Sequence, residues 1–284
     1  VTVNGTTGDD VDRASIVERA VTFLFVPGTR DDRFDKAVAS GADAVIIDLE
    51  DTVGAEDKDV ARSRAGAWLA TGGRAAVRVN PVGSPWFAND VRVAADALAV
   101  VLPKAECARD VERVVEAAGG RVPIIPLIES PRGLLAAAEI CAVPGVVRLG
   151  FGNVDFAAEI GVEPGCHEAL LTARSGIVHA SSATGRAAPV DGVTTDLGDA
   201  GRVEHDAAHA RRLGFTGKLL VHPGQVEPAV SVLVPTEAEV AWARAVLASA
   251  SSAVGVFEGQ LVDEPVLARA RRLLARVNAE PGRW

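Results

Sequence analysis

The 284-residue chain has no methionine and no tyrosine, only three cysteines, and no run of about 18 apolar residues. Each shortage excludes something. Without a long apolar run or a basic-apolar-small leader, a globular protein is expected, with no membrane segment or signal peptide and the cytoplasm as its place. Cys107, Cys141 and Cys166 are odd in number and lack CxxC spacing, so neither a disulfide framework nor a zinc site is expected. The missing methionine, initiator included, suggests a processed start. Cations are also short: 29 Lys and Arg against 38 Asp and Glu give a formal net charge of −9. That argues against nucleic acid as a partner, because phosphate backbones need a basic face. A small anion held by a few local cations stays open.

Apolar residues are plentiful, at 48%, and they come in short runs. The same grammar recurs eight times: a β-rich run, a loop carrying Gly, Pro or an acid, then a stretch of helical period. The runs are Thr22–Val26, Ala44–Ile47, Ala75–Val77, Ala99–Leu102, Val122–Ile128, Val146–Leu149, Ala187–Val190 and Lys218–Val221. Parallel strands buried on both faces read as continuous Val, Ile and Leu, and eight βα units predict one closed α/β TIM barrel over residues 20–234. Residues 1–19 open polar and Gly-rich and are expected to be a loose arm. From Pro235 the rhythm changes. Thr236-x-x-Glu239 has capping-box form, Val254–Phe257 and Gln260–Val262 flank a two-residue turn, and Asp263-Glu-Pro265 opens a last helix. Residues 235–284 are therefore expected to be an appended segment, a lid over the barrel mouth or a clasp on a neighbouring subunit.

Asp48, Glu50, Arg78, Lys104, Glu129, Asp155, Asp191 and His222 all follow the C-terminal end of a strand, which in a barrel is the mouth where catalytic residues sit. Singly, each has a structural reading. Glu129 can cap the helix that starts near Pro131, Asp155 can bond locally, Lys104 can pair with Glu106 or Glu129, and His222 can be structural. Together they suit chemistry. Glu129 and Asp155 are placed to share Mg²⁺, which takes one or two carboxylates and leaves its other positions to water and substrate. Arg78 would clamp a substrate carboxylate with its planar fork, and the ion would stabilise charge on oxygen as a carbon–carbon bond beside a carbonyl breaks. Asp48, Glu50 and Asp51 are expected to orient metal-bound water as an outer acidic layer, with loop hydrogen bonding the alternative for Asp51-Thr-Val. Gly152, Asn153 and Val154, leading into Asp155, are the expected substrate contacts. Arg30, Arg33 and Lys36 line a helix start as a candidate phosphate site, unless Asp31, Asp32 and Asp35 simply balance them.

These residues also fall into an ordered set of motifs: Phe25-Val-Pro-Gly28, Ala42-Asp-Ala-Val-Ile-Ile-Asp-Leu-Glu-Asp51, Arg78-Val-Asn80, Pro103-Lys-Ala-Glu106, Pro126-Leu-Ile-Glu-Ser130, Gly150-Phe-Gly-Asn-Val-Asp155, Pro189-Val-Asp-Gly192 and His222-Pro223. The set resembles the citrate lyase β-subunit-like proteins of the acyl-CoA lyase and aldolase superfamily, from about residue 22 to 275. The resemblance implies a TIM barrel acting on CoA thioesters, with Mg²⁺ on Glu129 and Asp155 and an oxo-acid carboxylate on Arg78. It implies coenzyme A near Arg30, Arg33 and Lys36, and a homotrimer in which Asp263 of one subunit serves its neighbour's site as acid/base. Arg78, Glu50 and Asp263 are the catalytic candidates. The sequence departs at Gln260-Leu261, where many relatives have Lys-Met, and at Cys107, where Ser is common. The implied reaction is reversible cleavage of a carboxylated 3-hydroxyacyl-CoA, such as malyl-, citramalyl- or citryl-CoA, into an acyl-CoA and a 2-oxo-acid. The alternatives are a CoA-free aldolase releasing pyruvate and a non-catalytic subunit that binds an acyl-carrier protein.

Overall fold

The computed structural model describes residues 8–249, 255–257 and 259–277. Helix α1 (Gly8–Arg19) leads into β1 (Thr22–Pro27), α2 (Phe34–Val38), β2 (Ala44–Asp48) and α3 (Lys58–Ala70). Next come β3 (Ala76–Arg78), α4 (Phe87–Ala94), β4 (Val100–Leu102), α5 (Ala108–Ala118) and β5 (Ile124–Ile128). Two short helices, α6 (Pro131–Leu135) and α7 (Ala137–Ala142), precede β6 (Gly150–Phe151), α8 (Asn153–Ile160) and α9 (Leu171–Ala183). The barrel ends with β7 (Val190–Asp191), α10 (Ala200–Leu213), β8 (Gly217–Leu220) and α11 (Val226–Leu233). All eight strands are parallel and in sequence order, and β8 pairs back onto β1 through Thr22 and Lys218. The expected TIM barrel is therefore present.

Alternation along each strand sorts residues between the barrel's inside and its helical coat. Phe23, Ala44, Ile46, Ala76, Val101, Ile125, Leu127 and Leu219 share the inner cluster. Leu24, Ile47, Val77, Val100, Ile128 and Leu220 instead pack in the cluster under the helices. Continuing the inner parity by two residues carries Asp48, Arg78, Glu129 and Val221 into the mouth.

The expected loose arm is corrected where it is described: residues 8–19 form α1, and Ile16 and Val17 are buried in the inner cluster. Too few apolar residues precede Thr22 to show a helical period, and tertiary contact supplies what local pattern does not. Arg148, wholly buried, donates from Nη1 to the carbonyl oxygens of Val17, Glu18 and Ala20 at 3.1, 3.3 and 2.8 Å. Its Nη2 reaches Pro189 O and Thr216 Oγ1. None of these acceptors is a carboxylate, and burial pulls the guanidinium down to about 9. The arginine thus caps the carbonyl end of α1 and seals the floor of the barrel. Residues 1–7 of the expected arm lie outside the described residues.

The appended segment comprises α12 (Glu237–Ser249), a hairpin of β9 (Gly255–Phe257) and β10 (Gln260–Val262), and α13 (Glu264–Val277). The capping box is formed, with Thr236 N donating to Glu239 Oε2 at 2.8 Å and Glu239 N to Thr236 Oγ1 at 3.2 Å. Ala243, Val246, Val262, Leu267 and Ala270 make a small core of their own. Arg211 fastens the segment to the barrel by pairing with Glu239 at 2.7 Å. Residues 250–254, 258 and 278–284 lie outside the described residues. Among the described residues no helix is long and apolar enough to cross a membrane.

Candidate active site at the barrel mouth

Asp48 and Arg78 are register partners across β2 and β3 and meet as a bidentate pair. Arg78 Nε lies 2.6 Å from Asp48 Oδ1, and Nη2 2.7 Å from Oδ2. The planar fork expected to clamp substrate is therefore engaged within the protein. Nor does Asp48 orient metal-bound water: it is wholly buried and also accepts from Glu50 N, Thr52 N and Thr52 Oγ1. Burial alone would raise its carboxyl, but Arg78 and these donors hold it below the ordinary value. What Arg78 presents to the mouth is Nη1, 3.1 Å from Glu50 Oε2 and 3.4 Å from Asp51 Oδ2. The Phe25 ring supports the guanidinium at 4.8 Å.

Glu129, at the end of β5, is buried and accepts Lys104 N on Oε2 at 2.8 Å. Lys104 is the one non-glycine among the described residues with a left-handed backbone, φ +52°, a conformation that costs energy and clusters at functional sites. The turn lets a single residue hold three acids, because its N–H binds Glu129 while its Nζ pairs with Glu50 and lies 3.5 Å from Asp51. Glu50 is thus the partner of Lys104, in place of Glu106 or Glu129. Burial pushes the Glu129 carboxyl up to about 8, the charges of Glu50 and Asp155 add to this, and Arg78 opposes it. Burial likewise raises Glu50 against the pull of Arg78 and Lys104. Glu50 Oε2 is buried without a hydrogen bond, since the Arg78 contact is close but not aligned.

Asp155 stands in the first turn of α8 and lines, with Glu129, Arg78, Gly152, Asn153 and Val154, a cavity of about 220 Å³. The six residues expected for metal and substrate therefore come together. Gly152 has to be glycine, because a Cβ there would lie 2.2 Å from Glu129 Cγ. Asn153 is otherwise engaged: Nδ2 donates to Pro164 O and Val193 O, and Oδ1 accepts Val193 N at 2.8 Å. Its amide ties the loop after β6 to the loop after β7 and leaves its backbone N–H for a ligand. Five carboxylates, Asp48, Glu50, Asp51, Glu129 and Asp155, face two cations, Arg78 and Lys104. Hard oxygen donors, surplus negative charge and a buried oxygen without a hydrogen bond fit a divalent cation such as Mg²⁺.

Other expected members of the mouth lie elsewhere. Asp191 faces outward, where Arg174 Nε holds it at 2.8 Å and Lys218, its neighbour in register, at 3.4 Å. His222 caps the turn after β8, its Nδ1 accepting Gly224 N at 3.1 Å. Arg30 pairs bidentately with Asp32 at 2.8 Å and Asp31 with Arg64, while Arg33 and Lys36 are exposed. Asp263 Oδ1 accepts Val266 N at 3.2 Å and so caps α13, and no described residue of the appended segment lines the cavity. One residue escaped the sequence: Lys58, buried, donates to Leu49 O and Glu50 O at 2.8 and 2.7 Å and braces the acidic loop. A lysine at a helix N-terminus, where the dipole disfavours it, was the available signal.

Comparison with known proteins agrees with the fold. The profile of the family described as HpcH/HpaI aldolase/citrate lyase matches residues 21–223. A citrate lyase subunit beta-like protein of Deinococcus radiodurans is 40% identical over 272 residues, covering 89% of this chain and 95% of that one. A (3S)-malyl-CoA thioesterase of Cereibacter sphaeroides is 32% identical over 271 residues, covering 90% and 94%. The crystal structure of CitE from Mycobacterium tuberculosis with magnesium, acetoacetate and coenzyme A superposes with a TM-score of 0.78 at 34% identity, covering 92% of this chain and 99% of that one. With the fold, the order of motifs and these likenesses in agreement, the chain belongs to the HpcH/HpaI aldolase/citrate lyase family.

Proposed function

We propose that this protein is an Mg²⁺-dependent carbon–carbon lyase that reversibly splits a carboxylated 3-hydroxyacyl-CoA into an acyl-CoA and a 2-oxo-acid. The observation that carries the reading is the convergence of Glu129, Asp155 and Arg78 Nη1 on one cavity, whose described lining holds three acids, with Asp51, against the one arginine. Glu129 and Asp155 would hold the ion. Bound there, it supplies Lewis-acid stabilisation of the oxygen on which charge develops. Arg78 Nη1, steadied by Asp48, and the free N–H groups opening α8 orient the substrate carboxylate. Glu50 Oε2 takes the hydroxyl proton as the carbinol carbon becomes the oxo-acid carbonyl. The bond to the thioester α-carbon breaks, its electron pair stays on that carbon as an enolate, and a proton delivered there completes the acyl-CoA. We assign that proton to Asp263 of a neighbouring copy in a homotrimer, since in its own chain Asp263 caps α13. Coenzyme A is assigned to the exposed side of Arg33 and Lys36.

The test is incubation of the protein with Mg²⁺, acetyl- or propionyl-CoA and a panel of 2-oxo-acids, read by mass spectrometry. An adduct lost with EDTA and in Glu129→Ala supports the lyase. Free CoA supports hydrolysis after the carbon–carbon step, a reading favoured by the likeness to a malyl-CoA thioesterase. Cleavage of a hydroxy-oxo-acid to pyruvate with no change in any CoA species would replace the lyase with the CoA-free aldolase.

A further inference from the structure

The mouth is built in two arcs. From β2 to β6 its inner rim carries Asp48, Arg78 and Glu129, with Glu50, Asp51, Lys104 and Asp155 beside them. From β7 through β8 to β1 the cavity wall is Val193, Leu219, Val221 and Phe25. The cations near this second arc are turned away. Lys218 and Arg174 face outward onto Asp191, and Arg30 is held by Asp32. Among the described residues Arg78 is the one basic residue lining the cavity, and its bidentate edge belongs to Asp48. A ligand with one carboxylate is provided for, whereas the far carboxylate of a dicarboxylate would meet Leu219, Val221 and Phe25 without a cation. Leu219 is buried, Phe25 and Val193 are half-buried and Val221 is exposed at the rim, and a charge set against such a wall loses water without gaining a partner.

From this division we infer that the oxo-acid fragment is a 2-oxo monocarboxylate with a small apolar substituent, and that Val221 and Leu219 select against a second carboxylate. The inference rests on the lyase reading for its ligand class and narrows it. A volume of about 220 Å³ accommodates a methyl or ethyl group beyond the oxo-acid head.

The test is calorimetric titration of the Mg²⁺-loaded protein with pyruvate, 2-oxobutyrate, freshly prepared oxaloacetate and 2-oxoglutarate, alongside the adduct assay with acetyl-CoA. Pyruvate and 2-oxobutyrate are expected to bind about 30-fold more tightly than either dicarboxylate. Val221→Arg, at this exposed position, is expected to tighten oxaloacetate about tenfold and weaken 2-oxobutyrate. Val154→Arg, on an exposed position of the same cavity, serves if that variant does not fold. Oxaloacetate binding as tightly as pyruvate, an unchanged preference in both arginine variants, or no binding of any of the four acids overturns the inference. Adducts with oxaloacetate alone would sink this selectivity and leave the lyase standing. Selective pyruvate binding with no acyl-CoA adduct would sink the lyase and leave the selectivity.

Discussion

Two buried acid–cation pairs each join adjacent strands of the barrel, Asp48 with Arg78 across β2 and β3 and Asp191 with Lys218 across β7 and β8. They face opposite ways. The first points into the mouth and leaves one guanidinium nitrogen beside Glu50. The second points into the helical coat, where Arg174 completes it. The residue types are alike, and strand parity decides which pair faces the mouth and which joins sheet to helix. The wall above each pair follows suit, charged on one side and apolar on the other.

The sharpest break of this comparison is at Glu129. Glu129→Gln is expected to lower turnover about 10³-fold and to abolish stabilisation by Mg²⁺ in thermal melts, while the metal-free variant is no less stable than the parent. The sign follows from its raised carboxyl. The folded state keeps a proton that the unfolded state releases near its ordinary value of about 4.3, so metal-free stability falls as pH rises from there towards about 8. The neutral amide escapes that loss.

The paired test comes next. Asp48→Asn strands the buried Arg78 and Asp191→Asn the buried Arg174 and Lys218, and each should cost about 3–5 kcal/mol in urea unfolding. Only Asp48→Asn should also lower kcat/KM, by about 10²-fold. Equal losses of activity in the two variants would dissolve the distinction between the arcs. Asp48 is held below its ordinary value, so its contribution is complete above about pH 4 and is lost as pH falls further. The acid limb of the stability profile should weaken in Asp48→Asn.

Within the charged arc, Lys104→Gly keeps the left-handed turn and removes the cation that opposes the raised Glu50 carboxyl. The acid limb of the pH–rate profile should move to higher pH. A stationary limb would remove Glu50 from the role of base. At the quiet end of the scale, His222→Ala removes only a turn cap in the apolar arc. It should cost about 0.5–1 kcal/mol of stability and leave kcat/KM within about twofold. A larger loss of activity would return His222 to the site.

The barrel and the place of Glu129 at its mouth were legible because both are written locally. Eight apolar runs mark the strands, and an acid two residues beyond Leu127 inherits that residue's inward direction. The fate of Arg78 was not legible, since it depends on the register that sets Asp48 beside it, which no local spacing shows. Asp191 was misplaced for a related reason: one residue of parity after Val190 turns it out of the barrel. Asn153 looked free because the carbonyl and N–H groups that bind it lie as far away as Val193. Lys58 reads as a surface lysine until the loop it braces is folded over it. The helix α1 was hidden because its reason for being helical is Arg148, more than a hundred residues away.

That last contact changes where the molecule starts. Counting strands places the barrel's first residue near Thr22, and a fragment cut there would retain every strand, every acid and Arg78. It would also leave Arg148 inside an apolar floor without three of its five acceptors. The smallest autonomous unit therefore begins one helix earlier than the repeat implies, and a trimming experiment guided by the eightfold pattern would remove the plug while sparing the reaction centre.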